Sequence, residues 1–108
     1  MNKPLFTHCD EVYSMLDKIK SVFDSHQCNV NITYGHNIVT LTYVRDDGLS
    51  VFDIDIMDWD DDTDDEWMGH QFDSCINVAI WRNEQICAKF NGAFEWMVLE
   101  LLTSIITK

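Results

Sequence analysis

The hydrophobic residues follow a helical period at both ends of the chain. Between residues 10 and 26, apolar side chains recur three and four positions apart, at Val12, Met15, Leu16, Ile19, Val22 and Phe23. Polar residues fill the positions between them, so this segment is predicted to form an amphipathic helix. Thr7 and, three residues later, Asp10 predict its N-terminal cap. Residues 93–107 are predicted to form a second helix, whose apolar side chains cover an arc of roughly 200°.

The middle of the chain instead has the period of β-strands. Strands are predicted at residues 30–34, 38–44, 49–57, 74–82 and 84–90, separated by turn residues such as Asp47-Gly48. In the third of these, alternation places Phe52, Ile54 and Ile56 on one face and Asp53 and Asp55 on the other. The expected fold is α+β, an antiparallel sheet of about five strands with an N-terminal and a C-terminal helix, in the order α-β-β-β-loop-β-β-α.

The connection between the third and fourth strands, residues 58–73, carries too many carboxylates to be a strand, so it is expected to be a loop. At 108 residues, with no internal repeat and no linker composition, the chain is expected to be one α+β domain. The acidic segment of this domain comprises residues 46–73.

Charge is distributed very unevenly along the chain. The formal net charge is −12, and twelve acidic residues lie between Asp46 and Trp81, where there is no lysine or arginine. Seven acidic residues balance seven basic ones in the rest of the chain. Nucleic acids and anionic membranes attract the opposite charge, so direct binding to either is not expected. A basic protein is the expected partner.

The N-terminal residues lack an apolar run of signal-peptide length, and no stretch reaches the length of a membrane span. The protein is therefore expected to be soluble and cytoplasmic. Its four cysteines form no C-x-x-C pair, and in a reducing compartment we expect free thiols.

The chain lacks the common catalytic motifs, and no spacing places a nucleophile beside a base. We expect neither enzymatic activity nor a cofactor. The carboxylates of Asp53, Asp55 and Asp58, together with Asp60 to Asp62, could bind Mg²⁺ or Ca²⁺, which makes a divalent-metal-binding protein one alternative. The calcium-loop pattern is not met, because Thr63 stands where that pattern requires glycine.

The acidic segment also has the composition of a binding surface. Nine of the 14 residues from Asp53 to Glu66 are carboxylates, and large apolar residues are interleaved with and follow them. Solubility alone does not require tryptophan, whereas interface centres are rich in aromatic residues inside a polar rim. The predicted partner-binding residues are Asp53, Asp55, Asp58, Trp59, Asp60, Asp61, Asp62, Asp64, Asp65, Glu66 and Trp67.

Regularly spaced carboxylates present closely spaced negative charges to a basic groove, as the phosphates of a nucleic-acid backbone do. The hypothesis is a non-enzymatic inhibitor that mimics nucleic acid and engages a basic, nucleic-acid-binding enzyme or effector. In size, charge and lack of catalytic motifs the chain resembles the small acidic inhibitors that phages use against host defences, such as anti-CRISPR and anti-restriction proteins. It similarly resembles the acidic immunity proteins that neutralise nucleases.

The element order and low isoelectric point are also similar to the class I chaperones of type III secretion. That resemblance implies an acidic, dimeric chaperone that holds segments of secreted effectors, and it is the main alternative. Those chaperones have a helix where this chain has residues 58–73.

A homodimer is a further hypothesis. The apolar arc of the C-terminal helix is wider than one sheet face needs, and twofold symmetry is the commonest in homo-oligomers. The competing account is that the first helix covers the remainder within one chain.

Overall fold

A computed structural model describes residues 6, 8–45, 48–58 and 76–107 of the chain. The elements begin and end close to the predicted positions. In chain order they are α1 (Cys9–Ser25), β1 (Asn31–Gly35), β2 (Ile38–Val44), β3 (Val51–Met57), β4 (Asn77–Arg82), β5 (Gln85–Asn91), a 3₁₀ turn (Gly92–Phe94) and α2 (Glu95–Thr107). The predicted α+β fold is confirmed.

The five strands form one open sheet in the order β1-β2-β3-β4-β5, and every neighbouring pair is antiparallel. Each strand therefore pairs with the next one along the chain, which needs only short turns at three of the four connections. Asn83 and Glu84 form a two-residue turn with φ of 48° and 69°, both in the left-handed region that the strand twist favours. Gly48, with φ of 69°, occupies the position in the β2–β3 turn where an L-residue would be strained.

Both helices pack on one face of this sheet. Side chains of alternate strand positions, including Leu41, Ile54 and Ile80, are fully buried against Ile19 and Phe23 of α1. From α2, Val98 and Leu102 enter the same core. The opposite face of the sheet, here called the outer face, carries Asp53 and Asp55 as the alternation predicted.

The start of α1 differs from the prediction. The N-cap residue is His8 and not Thr7, and His8 makes no side-chain capping bond within the helix. Instead the backbone N–H of His8 donates to Asp58 Oδ2 at 3.0 Å, across a sequence separation of 50 residues. The carboxylate just beyond β3 therefore accepts the N–H of the N-cap residue, as the third helical residue does in a capping box.

The end of α1 is closed by backbone bonds, and the Ser25 hydroxyl also donates to the carbonyl of Val22 at 2.9 Å. The N–H of Cys28 donates to the carbonyl of Phe23 at 2.9 Å, and that of Gln27 to the carbonyl of Asp24 at 3.0 Å. This pair of bonds defines a Schellman motif, which needs a left-handed residue between the helix and the following segment. Gln27 has that conformation, with φ of 58°, at a position where glycine is usual.

The apolar arc of α2 is shared between the sheet and α1. Glu95 pairs with Lys18 of α1 at 2.8 Å, and Leu99 lines the groove between the two helices. Trp96, in the polar arc, is 64% exposed, and Met97 is 38% exposed. Among the described residues, no helix is both long and apolar enough to cross a membrane. Within that part of the chain Cys9, Cys28 and Cys87 are free thiols, as expected.

Candidate partner-binding surface

Two of the predicted binding residues, Asp53 and Asp55, lie side by side on the outer face of β3. The strand register sets Asp53 opposite Thr42 and Asp55 opposite Thr40. Each threonine hydroxyl donates to Oδ1 of the facing carboxylate at 2.7 Å. Both carboxylates are half-buried and make no other hydrogen bond to the residues that the structure describes.

These short bonds follow from the alternation of pairs in an antiparallel ladder. The N–H of Asp58 donates to the carbonyl of Asn37, and the N–H of Arg45 to the carbonyl of Ser50, so these pairs are hydrogen-bonded. Counting inward from either end, Thr40–Asp55 and Thr42–Asp53 are non-hydrogen-bonded pairs. Side chains approach most closely in such pairs, which lets a threonine hydroxyl reach the carboxylate.

The two carboxylates therefore form a rigid pair. Residues i and i+2 of one strand are about 6.8 Å apart on the same face, and each carboxylate is fixed by its own threonine. No Lys or Arg lies directly opposite either aspartate on β2 or β4. Exposed polar residues of β1, Asn31 and Thr33, continue this part of the face.

An aromatic residue outside the predicted binding set lies beside the pair. Trp81 of β4 lies directly opposite Asp53 on the same face, and it is half-buried. Its indole Nε1 is a buried side-chain atom with no hydrogen-bond partner in the described part of the chain. The alternation along β4 indicates that residues 77, 79 and 81 share one face of the sheet. Which of them lies opposite Asp53 depends on the register between β3 and β4.

Asp58 has a different environment from the other two aspartates. Its side chain is 0% exposed, and Oδ1 lies 2.7 Å from Nδ1 of His8 while Oδ2 accepts the His8 backbone N–H. The carboxylate thus joins the end of β3 to the first turn of α1. In this arrangement Asp58 anchors the beginning of the acidic connection and is not presented to solvent.

The other predicted binding residues lie outside the described residues. They are Trp59, Asp60, Asp61, Asp62, Asp64, Asp65, Glu66 and Trp67. Their assignment to a partner-binding surface stays a prediction. Within residues 6, 8–45, 48–58 and 76–107, no three His, Cys, Asp or Glu side chains are grouped so that they could hold a metal ion.

Comparison of the chain with protein-family models, with curated proteins and with solved structures finds no match.

Proposed function

We propose that this protein is a non-enzymatic inhibitor that binds a basic, nucleic-acid-binding protein and occupies its nucleic-acid site. The observation that supports this best is the rigid pair of Asp53 and Asp55 on an outer sheet face, held by Thr40 and Thr42 at 2.7 Å. This pair directly precedes the most acidic part of the sequence.

The spacing of the pair suits a surface that binds phosphates. Carboxylates about 6.8 Å apart on one strand face are closely and regularly spaced negative charges, as are the phosphates of a nucleic-acid strand. A groove whose basic side chains bind successive phosphates could therefore contact both carboxylates. The threonine bonds lower the cost of binding, because the carboxylates need not be ordered by the partner.

Trp81 adds a second kind of contact beside Asp53. An arginine that pairs with Asp53 can at the same time stack its guanidinium plane on the neighbouring indole. Arginine is better suited to this double contact than lysine, because its guanidinium group is planar. In this proposal Trp59 and Trp67 are further aromatic anchors, as their position in the acidic segment predicts. The partner surface should accordingly be rich in arginine.

The excess of acidic charge also has a kinetic role in this proposal. Like charges concentrated in one third of the chain oppose folding, so solubility alone does not explain them. Complementary fields raise the rate of association with a basic target by steering its approach. An inhibitor that must bind before its target acts benefits from this.

The test is displacement of nucleic acid. The protein is used to capture partners from a lysate, and each recovered protein is purified and bound to labelled duplex DNA. Addition of the acidic protein should release the DNA in proportion to its binding. A partner that binds the acidic protein and labelled DNA at the same time contradicts the mimic proposal.

A matched pair of variants separates the surface from net charge. Asp53→Asn with Asp55→Asn removes two charges from the outer face, whereas Asp17→Asn with Glu100→Gln removes two exposed charges from the helices. The first variant should weaken binding at least tenfold at low salt, and the second should change it little. Equal effects of the two variants would show that only net charge matters.

The acidic segment is tested in the same assay. Changing Asp60, Asp61 and Asp62 together to Asn should slow association and flatten its salt dependence, because peripheral charges act mainly on the encounter. Trp67→Ala should instead speed dissociation, by an amount typical of a hot spot, about 2 kcal/mol or more. Affinities equal to that of the parent chain would indicate a loop that only solubilises.

The chaperone alternative is favoured by one observation, the confirmed order of three strands, a connection and two strands between two helices. A chaperone of this kind would recover an unfolded segment of a secreted protein. The capture experiment separates the two functions, because the inhibitor proposal requires a folded, basic partner.

A further inference from the structure

The two edges of the sheet are protected to different extents. β5 has an irregular register opposite Ile80 and Trp81 and carries Lys89, and a bulge and an edge lysine both discourage pairing with another strand. β1 (Asn31–Gly35) has neither a charge nor a proline, and its register with β2 is unbroken. The β1 edge thus lacks the features that normally keep an edge strand single, apart from being short.

The ladder shows which backbone groups of β1 face outward. Because the non-hydrogen-bonded pairs between β2 and β3 include Thr40 and Thr42, the backbone groups of these residues point toward β1. Their partners Thr33 and Asn31 therefore bond inward to β2. The N–H and C=O groups of the residues between them, at positions 32 and 34, point away from the sheet.

We propose that the β1 edge pairs with the β1 edge of a second copy of this chain. The two strands run antiparallel around a twofold axis perpendicular to the sheet at Thr33. Ile32 of one copy then exchanges two backbone hydrogen bonds with Tyr34 of the other, and the symmetric pair makes two more. This register is the one that pairs all five β1 residues of both copies.

The sequence of β1 is complementary to itself in this register. Ile32 faces Tyr34, a β-branched residue against an aromatic one, and Thr33 faces its own copy, which are favourable cross-strand pairs. Asn31 faces Gly35, which leaves room for the amide side chain. β1 itself has no carboxylate with which a basic peptide could pair. The β1 strand of a second copy is uncharged, so its pairing leaves no charge unpaired at the edge.

The dimer also keeps the two Asp53–Asp55 pairs apart. The Asp53–Asp55 pairs of the two copies would be separated by five inter-strand spacings, about 24 Å. This exceeds twice the Debye length at physiological ionic strength, so their repulsion is largely screened. Both pairs would lie on the same outer face of one ten-stranded sheet. The association does not depend on the proposed function, but it would present that function's surface twice.

The experiment is sedimentation equilibrium of the full chain from low to high micromolar concentration, where the monomer mass is 12.6 kDa. A dimer is expected at the upper end. Residue 33 faces itself, so Thr33→Lys or Thr33→Asp alone sets two like charges opposite each other and should raise the dissociation constant at least tenfold. An equal mixture of the two variants should recover a heterodimer, because the charges then attract.

Controls make each outcome decisive. Thr33 is exposed, so circular dichroism should show that both variants keep the fold. Ser104→Lys adds the same charge on the exposed side of α2 and should not change association, nor should Trp96→Ala. A monomer at every concentration overturns the proposal. So does a dimer that Trp96→Ala weakens and Thr33→Lys does not, which would assign the interface to α2.

Discussion

The buried carboxylate of Asp58 allows a stability prediction in which the contribution of each contact can be separated. Asp58→Ala removes two hydrogen bonds, one to the backbone N–H of His8 and one to its ring Nδ1. Losing a helix N-cap bond costs about 0.5–2 kcal/mol. A hydrogen bond to a charged group contributes about 1.5–3 kcal/mol. Because the two bonds share one side chain and are not additive, we expect the free energy of unfolding to fall by about 2–4 kcal/mol.

That loss is a large part of the stability of a domain of this size, which is about 5–15 kcal/mol. The midpoint of thermal unfolding should fall by roughly 10 °C or more, since each kcal/mol shifts it by about 4–8 °C in small domains. Urea denaturation followed by circular dichroism measures the change, and the slope with denaturant should stay constant if the folded state is otherwise unchanged.

Two further variants separate the contributions of these contacts to the free energy of unfolding. His8→Ala keeps a backbone N–H that donates to Asp58 and loses only the ring contact, so it should cost about 1.5–3 kcal/mol, less than Asp58→Ala in the same background. Asp55→Ala is the control, because that carboxylate is half-buried and accepts one hydroxyl bond, which contributes about 1 kcal/mol. An Asp58→Ala chain within about 0.5 kcal/mol of the parent would refute the capping role, since such changes are typical of exposed sites without special contacts.

Three other outcomes are expected. Gln27→Gly should raise the free energy of unfolding by about 0.5–1 kcal/mol in urea denaturation, because glycine adopts the left-handed conformation at the end of α1 without strain. An unchanged free energy would mean that Gln27 is not strained there. Leu102→Ala should cost about 2–5 kcal/mol, since that side chain is fully buried, whereas the exposed Trp96→Ala should cost about 0.5 kcal/mol or less. Sodium chloride should raise the melting temperature by screening repulsion in the acidic segment, and micromolar Mg²⁺ or Ca²⁺ should not; saturable stabilisation by a divalent ion would instead support the metal-binding alternative.

The amino-acid sequence was sufficient for the elements and for the face on which Asp53 and Asp55 lie. Both depend on local geometry, since a helix repeats every 3.6 residues and a strand every two, and apolar residues at that spacing mark the buried side. For the same reason the two helices and most strand ends were predicted within two residues. The exception is the start of β4, predicted at residue 74 and found at Asn77, which adjoins the long connection where the alternation weakens.

Other features depended on contacts between distant parts of the chain. Asp58 looked like one more residue of an acidic run, and only the meeting of β3 with the first turn of α1 buries it against His8. The N-cap is His8 instead of the predicted Thr7, and the carboxylate that accepts its backbone N–H comes from a distant part of the chain. No local pattern carries such information, since the partners are 50 residues apart.

Strand order and register determined which side chains meet on the outer face and which strand lies at the edge. The pairing and alignment of the strands place Thr40 and Thr42 against the two aspartates and Trp81 beside Asp53. They also leave β1 as an uncharged edge of the sheet. A shift of one residue would turn each of these side chains to the other face. The alternation of a strand determines which residues share its face, but only the assembled sheet determines which residues they meet.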